Sequence, residues 1–352
     1  MPAIFFTGFP GFLGAELLPR LLTQSPDAVA RCLVQPKFAA LARERVAAMQ
    51  LFANRIEIVE GDITTAISAR SDDVTAIFHL AAVYDLMVSR EVGMRVNVEG
   101  TRNMLDFAAR CPALTRFHYV STCYVSGPYE GLFRESDLAM GQKFNNYYEE
   151  TKYLAELEVQ KRMSDGLPAT IYRPSVVVGD SATGATQKYD GPYVVIRWLL
   201  RQPRVAGLPV VGDPTRFFFN VVPRDFIIGA IERLASDPES RGKVFHLADP
   251  DPLTVDETID AIGEAMNKRV LRIPMPRQVA KTMLDRVPGV YRLMQIPSAA
   301  VDYFVHPTTY DTTNTQRALA TAKITVPHFR DYLPNLIAFV RAHPEIKAEG
   351  MV

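Results

Sequence analysis

The chain of 352 residues carries 39 lysines and arginines against 39 aspartates and glutamates, with no basic or acidic block. That balance argues against nucleic acid or another polyanion as the main partner. A hydrophobic share of 48% and a charged share of 22% fit a soluble globular protein of one large or two closely joined domains.

The first element is "AIFF" (Ala3 to Phe6), a short continuous apolar run that reads as a buried strand. It enters "TGFPGFLG", with Gly8, Gly11 and Gly14 at every third position, and then a helical pattern with Leu13, Leu17, Leu18, Leu21 and Leu22 on one face. A strand turning into a helix through glycines is where a dinucleotide's pyrophosphate can sit. Backbone N–H groups and the helix dipole favour an anion there, and no Cβ stands in its way. Gly8, Phe9, Gly11, Phe12, Leu13 and Gly14 are therefore the expected pyrophosphate-binding stretch.

Strand-like runs follow at 30–35, 55–61, 74–82, 114–122 and 168–175, with helical patterns between them, notably 96–111 and 146–163. This alternation predicts an α/β fold, a Rossmann-like doubly wound parallel sheet covered on both faces, with its ligand at the strands' carboxyl ends. Beyond residue 178 the rhythm breaks into proline- and glycine-punctuated pieces, and only "KVFHLAD" (243–249) reads as another sheet strand. Residues 1–178 are thus expected to form the dinucleotide-binding domain, to which the chain returns at about 220–248. Residues 179–352 are expected to form a smaller, mostly helical substrate-binding lobe.

The second strand ends "LVQPKF", without the carboxylate that holds a ribose 2′-hydroxyl in NAD enzymes. Gln35 and Lys37, with Arg43 or Arg45 as a second cation, would suit a 2′-phosphate, which favours NADPH (NADP+) over NADH. In "NNYYEETKYLAE", Tyr148 and Lys152 are four apart and share one helical face. A phenol is a poor proton donor at pH 7, so a neighbouring ammonium and a charged nicotinamide are expected to lower its pKa. Ser121 and Thr122, at the end of the fifth strand, are adjacent candidates for a hydroxyl that bonds the substrate oxygen. Only one of them is expected to face it.

Together these stretches resemble the extended short-chain dehydrogenase/reductase superfamily over most of the chain. The resemblance selects Thr122 over Ser121 and gives Tyr148 as the general acid, with Lys152 tuning it and holding the nicotinamide ribose. It implies that Asp62 in "VEGDIT" bonds the adenine amino group beside Ile63, and that Ala81 and Ala82 let the backbone pass close to the cofactor. Asn97 would be the asparagine that organises the active site, and Pro174, Ser175 and Val176 would flank the nicotinamide. "TGFPGFLG", "YVSTCYVSG", "YRPSVVVGDSATG" and "NVVPRDF" look most like the fatty acyl-CoA reductase and thioester-reductase branch, although Pro10 stands where that branch often has threonine.

That resemblance implies an NADPH-dependent reductase taking an apolar acyl thioester, on CoA or an acyl carrier protein, or the matching aldehyde. A sugar-nucleotide epimerase or dehydratase and a hydroxysteroid-type dehydrogenase are the alternatives on the same scaffold. Large apolar residues from Tyr193 to Phe304, and prolines from Pro274 to Pro307, suggest a core with an apolar lid. Arg216 is a candidate for a substrate phosphate. Cys123, beside Thr122, is expected to be inert packing. The three cysteines (Cys32, Cys111, Cys123) have neither disulfide nor zinc spacing and the six histidines no ligand spacing, so no metal is expected. Neither a signal peptide nor an apolar run of about 18 residues is evident, which predicts a cytoplasmic protein without a membrane span. A homodimer is compatible with this reading.

Overall fold

The computed structural model describes residues 1–286 and 298–346. Seven strands, β1 (Ala3–Thr7), β2 (Val29–Val34), β3 (Ile56–Glu60), β4 (Val74–His79), β5 (Arg116–Val120), β6 (Ala169–Pro174) and β7 (Val244–Leu247), form one sheet. Its order is β7-β6-β5-β4-β1-β2-β3, and every neighbouring pair is parallel. The chain runs outward from β1 to β3, then starts again at β4 on the other side of β1. The strand order therefore reverses between β1 and β4, and a crevice opens at the carboxyl ends there.

Strand alternation decides how the two faces are covered. Ile4 and Phe6 pack into one core with α1 (Gly14–Gln24) and the helix Arg224–Ser236. Ala3 and Phe5 pack into the opposite core, beneath α3 (Gly100–Ala109) and α4 (Tyr147–Ser164). Between them in sequence, α2 (Pro36–Ala48) begins on Pro36, whose fixed φ suits a first helical position. Of the leucine face expected for α1, Leu17, Leu18, Leu21 and Leu22 are buried, whereas Leu13 precedes the helix, is half-buried and lines the cavity at the turn.

A third core lies beyond residue 178, built from the helices Pro192–Leu200, Val255–Ala265 and Phe329–Ala342. Against them sits a parallel pair of strands, Val205–Val211 with Arg269–Met275. The sequence pattern offered proline-broken helical pieces from Ile273 onward, whereas Ile273, Pro274 and Met275 belong to this strand. In a two-stranded ladder each strand has an open edge, so the missing N–H of Pro274 is tolerated. Pro288, Pro297, Tyr291 and Met294 lie outside the described residues. Leu319 and Ile324, near the end of the chain, pack on the first core beside α1 rather than on the third.

Candidate active site

A cavity of about 1230 Å³ occupies the crevice, and every residue expected to touch the dinucleotide lines it, from Gly8 to Val176. Its floor at the glycine turn is made of backbone. Gly8 has φ +93°, and a Cβ there would come within 2.8 Å of Leu80 Cβ. A Cβ on Gly14 would lie 2.5 Å from the Gly8 carbonyl oxygen, so only glycine lets α1 start so close to β1. Leu13, the residue before α1, gives no side-chain cap, whereas Asn146 caps α4 by accepting from the Glu149 N–H. The start of α1 is thus suited to an anionic ligand.

At the far end of the turn, the Gln35 amide donates to Asp62 Oδ2 at 2.8 Å. Lys37 Nζ lies 4.9 Å from the centre of the Phe38 ring. The two arginines weighed as second cations divide: Arg43 pairs with Glu60 outside the cavity, while Arg45 lines it and donates to the Pro10 carbonyl. Near the other end, Ser175 Oγ is buried without a hydrogen-bond partner in the protein, although its residue lines the cavity. A buried hydroxyl left unpaired is costly, so this one fits a ligand that bonds it.

Tyr148 and Lys152 both project from α4 into the cavity, with Thr122 facing them from the end of β5. Burial pushes the Tyr148 phenol well up, and a hydrogen bond with the Thr122 hydroxyl opposes it. The Lys152 ammonium donates to Tyr119 Oη at 3.0 Å and to the Val120 carbonyl at 2.8 Å. Burial brings Lys152 itself down to about 7. Ser121, the other adjacent hydroxyl, donates to Glu156 Oε2 at 2.5 Å.

Asn97 does not reach the cavity. It sits in a wide π-type turn at Met94–Glu99, where its amide accepts from the Val83 N–H at 2.9 Å and donates to Thr151 Oγ1 at 3.0 Å. It therefore ties the loop after β4 to the helix that carries Tyr148, a positioning role. Cys123 is fully buried, with Sγ 3.0 Å from the Arg173 carbonyl, and burial pushes its thiol well up. A thiol so placed is a poor nucleophile.

The far wall is less apolar than its sequence suggested. Phe219, Tyr303 and Phe304 line it, but Tyr193, Trp198 and Phe217 are spent in the third core. Sequence reasoning missed Tyr84, Tyr124, Lys188 and Asp190 on this wall. The Tyr84 ring meets Tyr148 edge-on at 5.0 Å, its hydroxyl bonds Asp190, and Lys188 Nζ stands 4.1 Å over its face and 3.3 Å from Asp190. The only signal for the last two was the glycine- and proline-rich "KYDGPY", which reads as a loop. Asp302 pairs with Arg277 and Lys281, at 2.8 Å each. Arg216 is exposed and does not line the cavity. Among the described residues no group of three or more His, Cys, Asp or Glu could hold a metal ion. No helix among them is long and apolar enough to cross a membrane.

Residues 6–231 match the NAD-binding family described as male sterility protein. The chain is 25% identical over 352 residues to the non-canonical nonribosomal peptide synthetase FrzA of a Cladobotryum species, covering 90% of this chain and 34% of that protein. It is 27% identical over 304 residues to aldehyde reductase lnbA of Aspergillus flavus, covering 77% of this chain and 29% of that protein. The chain thus spans about a third or less of the length of these curated relatives. The terminal R domain from the myxalamid PKS-NRPS biosynthetic pathway superposes with a TM-score of 0.83 at 25% identity, over 99% of this chain and 92% of that one. The chain belongs to the male sterility protein family, in the thioester-reductase branch of the extended short-chain dehydrogenase/reductases.

Proposed function

We propose that the protein is an NADPH-dependent reductase of an acyl thioester, carried on CoA or on a carrier protein, or of the corresponding aldehyde. One observation carries this reading: a single cavity runs from the glycine turn, past Tyr148 and Thr122, to the aromatic wall at Tyr124, Tyr303 and Phe304. Dinucleotide and acyl group can then meet at the hydroxyl pair. The fit of a dinucleotide rests on the Gly8 and Gly14 cradle and on the unpartnered Ser175 hydroxyl. Gly8 to Gly14 would hold the pyrophosphate, Asp62 and Ile63 the adenine end, and Ala81, Ala82, Pro174, Ser175 and Val176 the nicotinamide end. When bound, the reduced dinucleotide would supply the hydride that the carbonyl carbon accepts; with a thioester the carbon–sulfur bond then breaks, the CoA or carrier thiol leaves and the aldehyde remains.

The chain's own residues do the rest. Thr122 Oγ1 and Tyr148 Oη hydrogen-bond the carbonyl oxygen as negative charge gathers on it. Tyr148 gives up its proton where an alcohol forms, and burial, which pushes its phenol well up, keeps it protonated to do so. Lys152 holds the ribose and brings positive charge near that phenol. Lys37 and Arg45, with Gln35, would take a 2′-phosphate, which is the basis for NADPH. We place residues 1–178, with the return at about 220–248, on the dinucleotide side and 179–352 on the substrate side. A cytoplasmic location belongs to the same reading.

Relatives named as a peptide synthetase and an aldehyde reductase support a thioester or aldehyde over a sugar nucleotide. The Tyr84–Lys188–Asp190 station favours an acyl group carrying a hydroxyl or amide over a bare alkyl chain. NADPH oxidation with acyl-CoAs, carrier-bound acyl thioesters, aldehydes, ketosteroids and UDP-sugars tests this directly. Turnover of thioesters or aldehydes is expected; turnover confined to ketosteroids or UDP-sugars would overturn it.

A further inference from the structure

Behind the catalytic face of α4 lies a set of buried charges that the proposed chemistry does not use. Glu156 and Arg173 are both fully buried, and their side chains meet at 2.6 Å. Arg173 comes from β6 and Glu156 from α4, one turn beyond Lys152. The Glu156 carboxylate also accepts from Ser121 Oγ at 2.5 Å and from Gln160 Nε2 at 3.0 Å. Arg173 and Ser121 are buried donors that would otherwise be left without this partner in the core, while Gln160 is only partly buried.

Placed together, these contacts form a ladder between one helix and the end of one strand. Tyr148 faces Thr122, Lys152 holds the Val120 carbonyl, and Glu156 holds the Ser121 hydroxyl. Three successive turns of α4 thus grip Val120, the last residue of β5, and the two residues that follow it. With Ser121 turned back into the core, Thr122 is the hydroxyl left toward Tyr148. We infer that Glu156 is a positioning residue for the reaction: its buried carboxylate keeps Lys152 charged and fixes the end of β5 so that Thr122 faces the substrate. This inference rests on the assignment of Tyr148, Lys152 and Thr122 to the chemistry.

The surroundings of Lys152 explain why a counter-charge is needed. On its own helix Tyr148 and Glu156 lie one turn to either side of Lys152, and Tyr119 from β5 and His79 from β4 stand near it. Arg173 from β6, His246 from β7 and Glu135 stand behind Glu156. Burial keeps His79 neutral, lowering it to about 3, and pushes Tyr119 well up. His246 is likewise held well below the usual histidine range. Glu135 is raised by burial and occupied by the backbone N–H groups of His246, Asn314 and Thr315. Glu156 is the carboxylate that opposes the burial of Lys152. With Lys152 at about 7, loss of that carboxylate lowers the pH at which the lysine gives up its proton.

The test is an NMR titration of protein labelled with 13C-lysine, the Lys152 resonance being assigned by its loss in Lys152→Arg. In Glu156→Gln the Lys152 midpoint is expected to fall by about one pH unit or more, while Glu156→Asp restores part of the shift. The basic limb of the pH–kcat profile should move toward acid by the same amount, with KM for the acyl substrate nearly unchanged. If Glu156→Gln does not fold because Arg173 is left unpaired, Glu156→Gln with Arg173→Gln removes both charges and should still lower the midpoint. A Lys152 midpoint unmoved in whichever variant folds would overturn the inference. Because that readout needs neither substrate nor turnover, it stands or falls separately from the reductase reading, which fails instead on the substrate panel.

Discussion

The two walls of the cavity are built differently. The glycine-turn side is made of backbone, with the Gly8 carbonyl packed where Cβ atoms of Gly11 and Gly14 would have to stand, and Gly8 itself against Leu80. The opposite side is made of side chains from distant stretches, Tyr84, Tyr124, Lys188, Asp190 and Tyr303. A backbone wall can be shaped only by leaving out side chains, so it is intolerant of substitution and serves a ligand portion that does not vary. A side-chain wall can be altered residue by residue, so in the proposed reductase it would set substrate choice.

Tyr148 stands where the walls meet, and its loss is expected to have the largest effect. Tyr148→Phe removes the proton donor and keeps the ring, so kcat should fall by on the order of 10²–10⁴ while NADPH binding, read by fluorescence titration, stays near normal. Wild-type turnover in that variant, with chemistry rate-limiting, would remove Tyr148 from its role. Gly14→Ala attacks the backbone wall. Its Cβ would meet the Gly8 carbonyl at 2.5 Å, and NADPH affinity should drop by about a hundredfold. An unchanged dissociation constant would mean that the dinucleotide does not use this turn.

Smaller effects sharpen the contrast. Lys37→Glu should weaken NADPH by about tenfold or more relative to NADH, by repelling the 2′-phosphate; equal weakening of both cofactors would place the phosphate elsewhere. Ser175→Ala should weaken NADPH by only about two- to tenfold. The unfolding temperature of the ligand-free protein should not fall, because this hydroxyl bonds nothing within it. A large loss of ligand-free stability would show that Ser175 serves the fold instead.

The backbone wall was legible in the sequence because glycine spacing after an apolar strand has few other uses, and Tyr148 and Lys152 because helical spacing puts them on one face. The buried strands β1, β2 and β4 were legible for the same local reason, each being a short, largely apolar run. Lys188 and Asp190 were not, since a loop's punctuation says nothing about which cavity its side chains enter. Ile273 to Met275 misled because prolines ordinarily break a repeat, and only the pairing with Val205–Val211 makes that stretch a strand. The direction of the Tyr148 shift also needed the fold. Spacing placed an ammonium nearby, but only the structure shows that ammonium turned to Tyr119 and the Val120 carbonyl.

The central claim, that an acyl carbonyl in this cavity accepts hydride from NADPH, is tested most directly by following the label. Acyl-CoA, or the same acyl group on a carrier protein, is incubated with NADPH carrying deuterium at the transferable position, and the product is analysed by mass spectrometry. Stoichiometric NADPH consumption is expected, with deuterium on the former carbonyl carbon of an aldehyde or alcohol. Conversion of a UDP-sugar with no net consumption of cofactor, and no labelled acyl product, would contradict it.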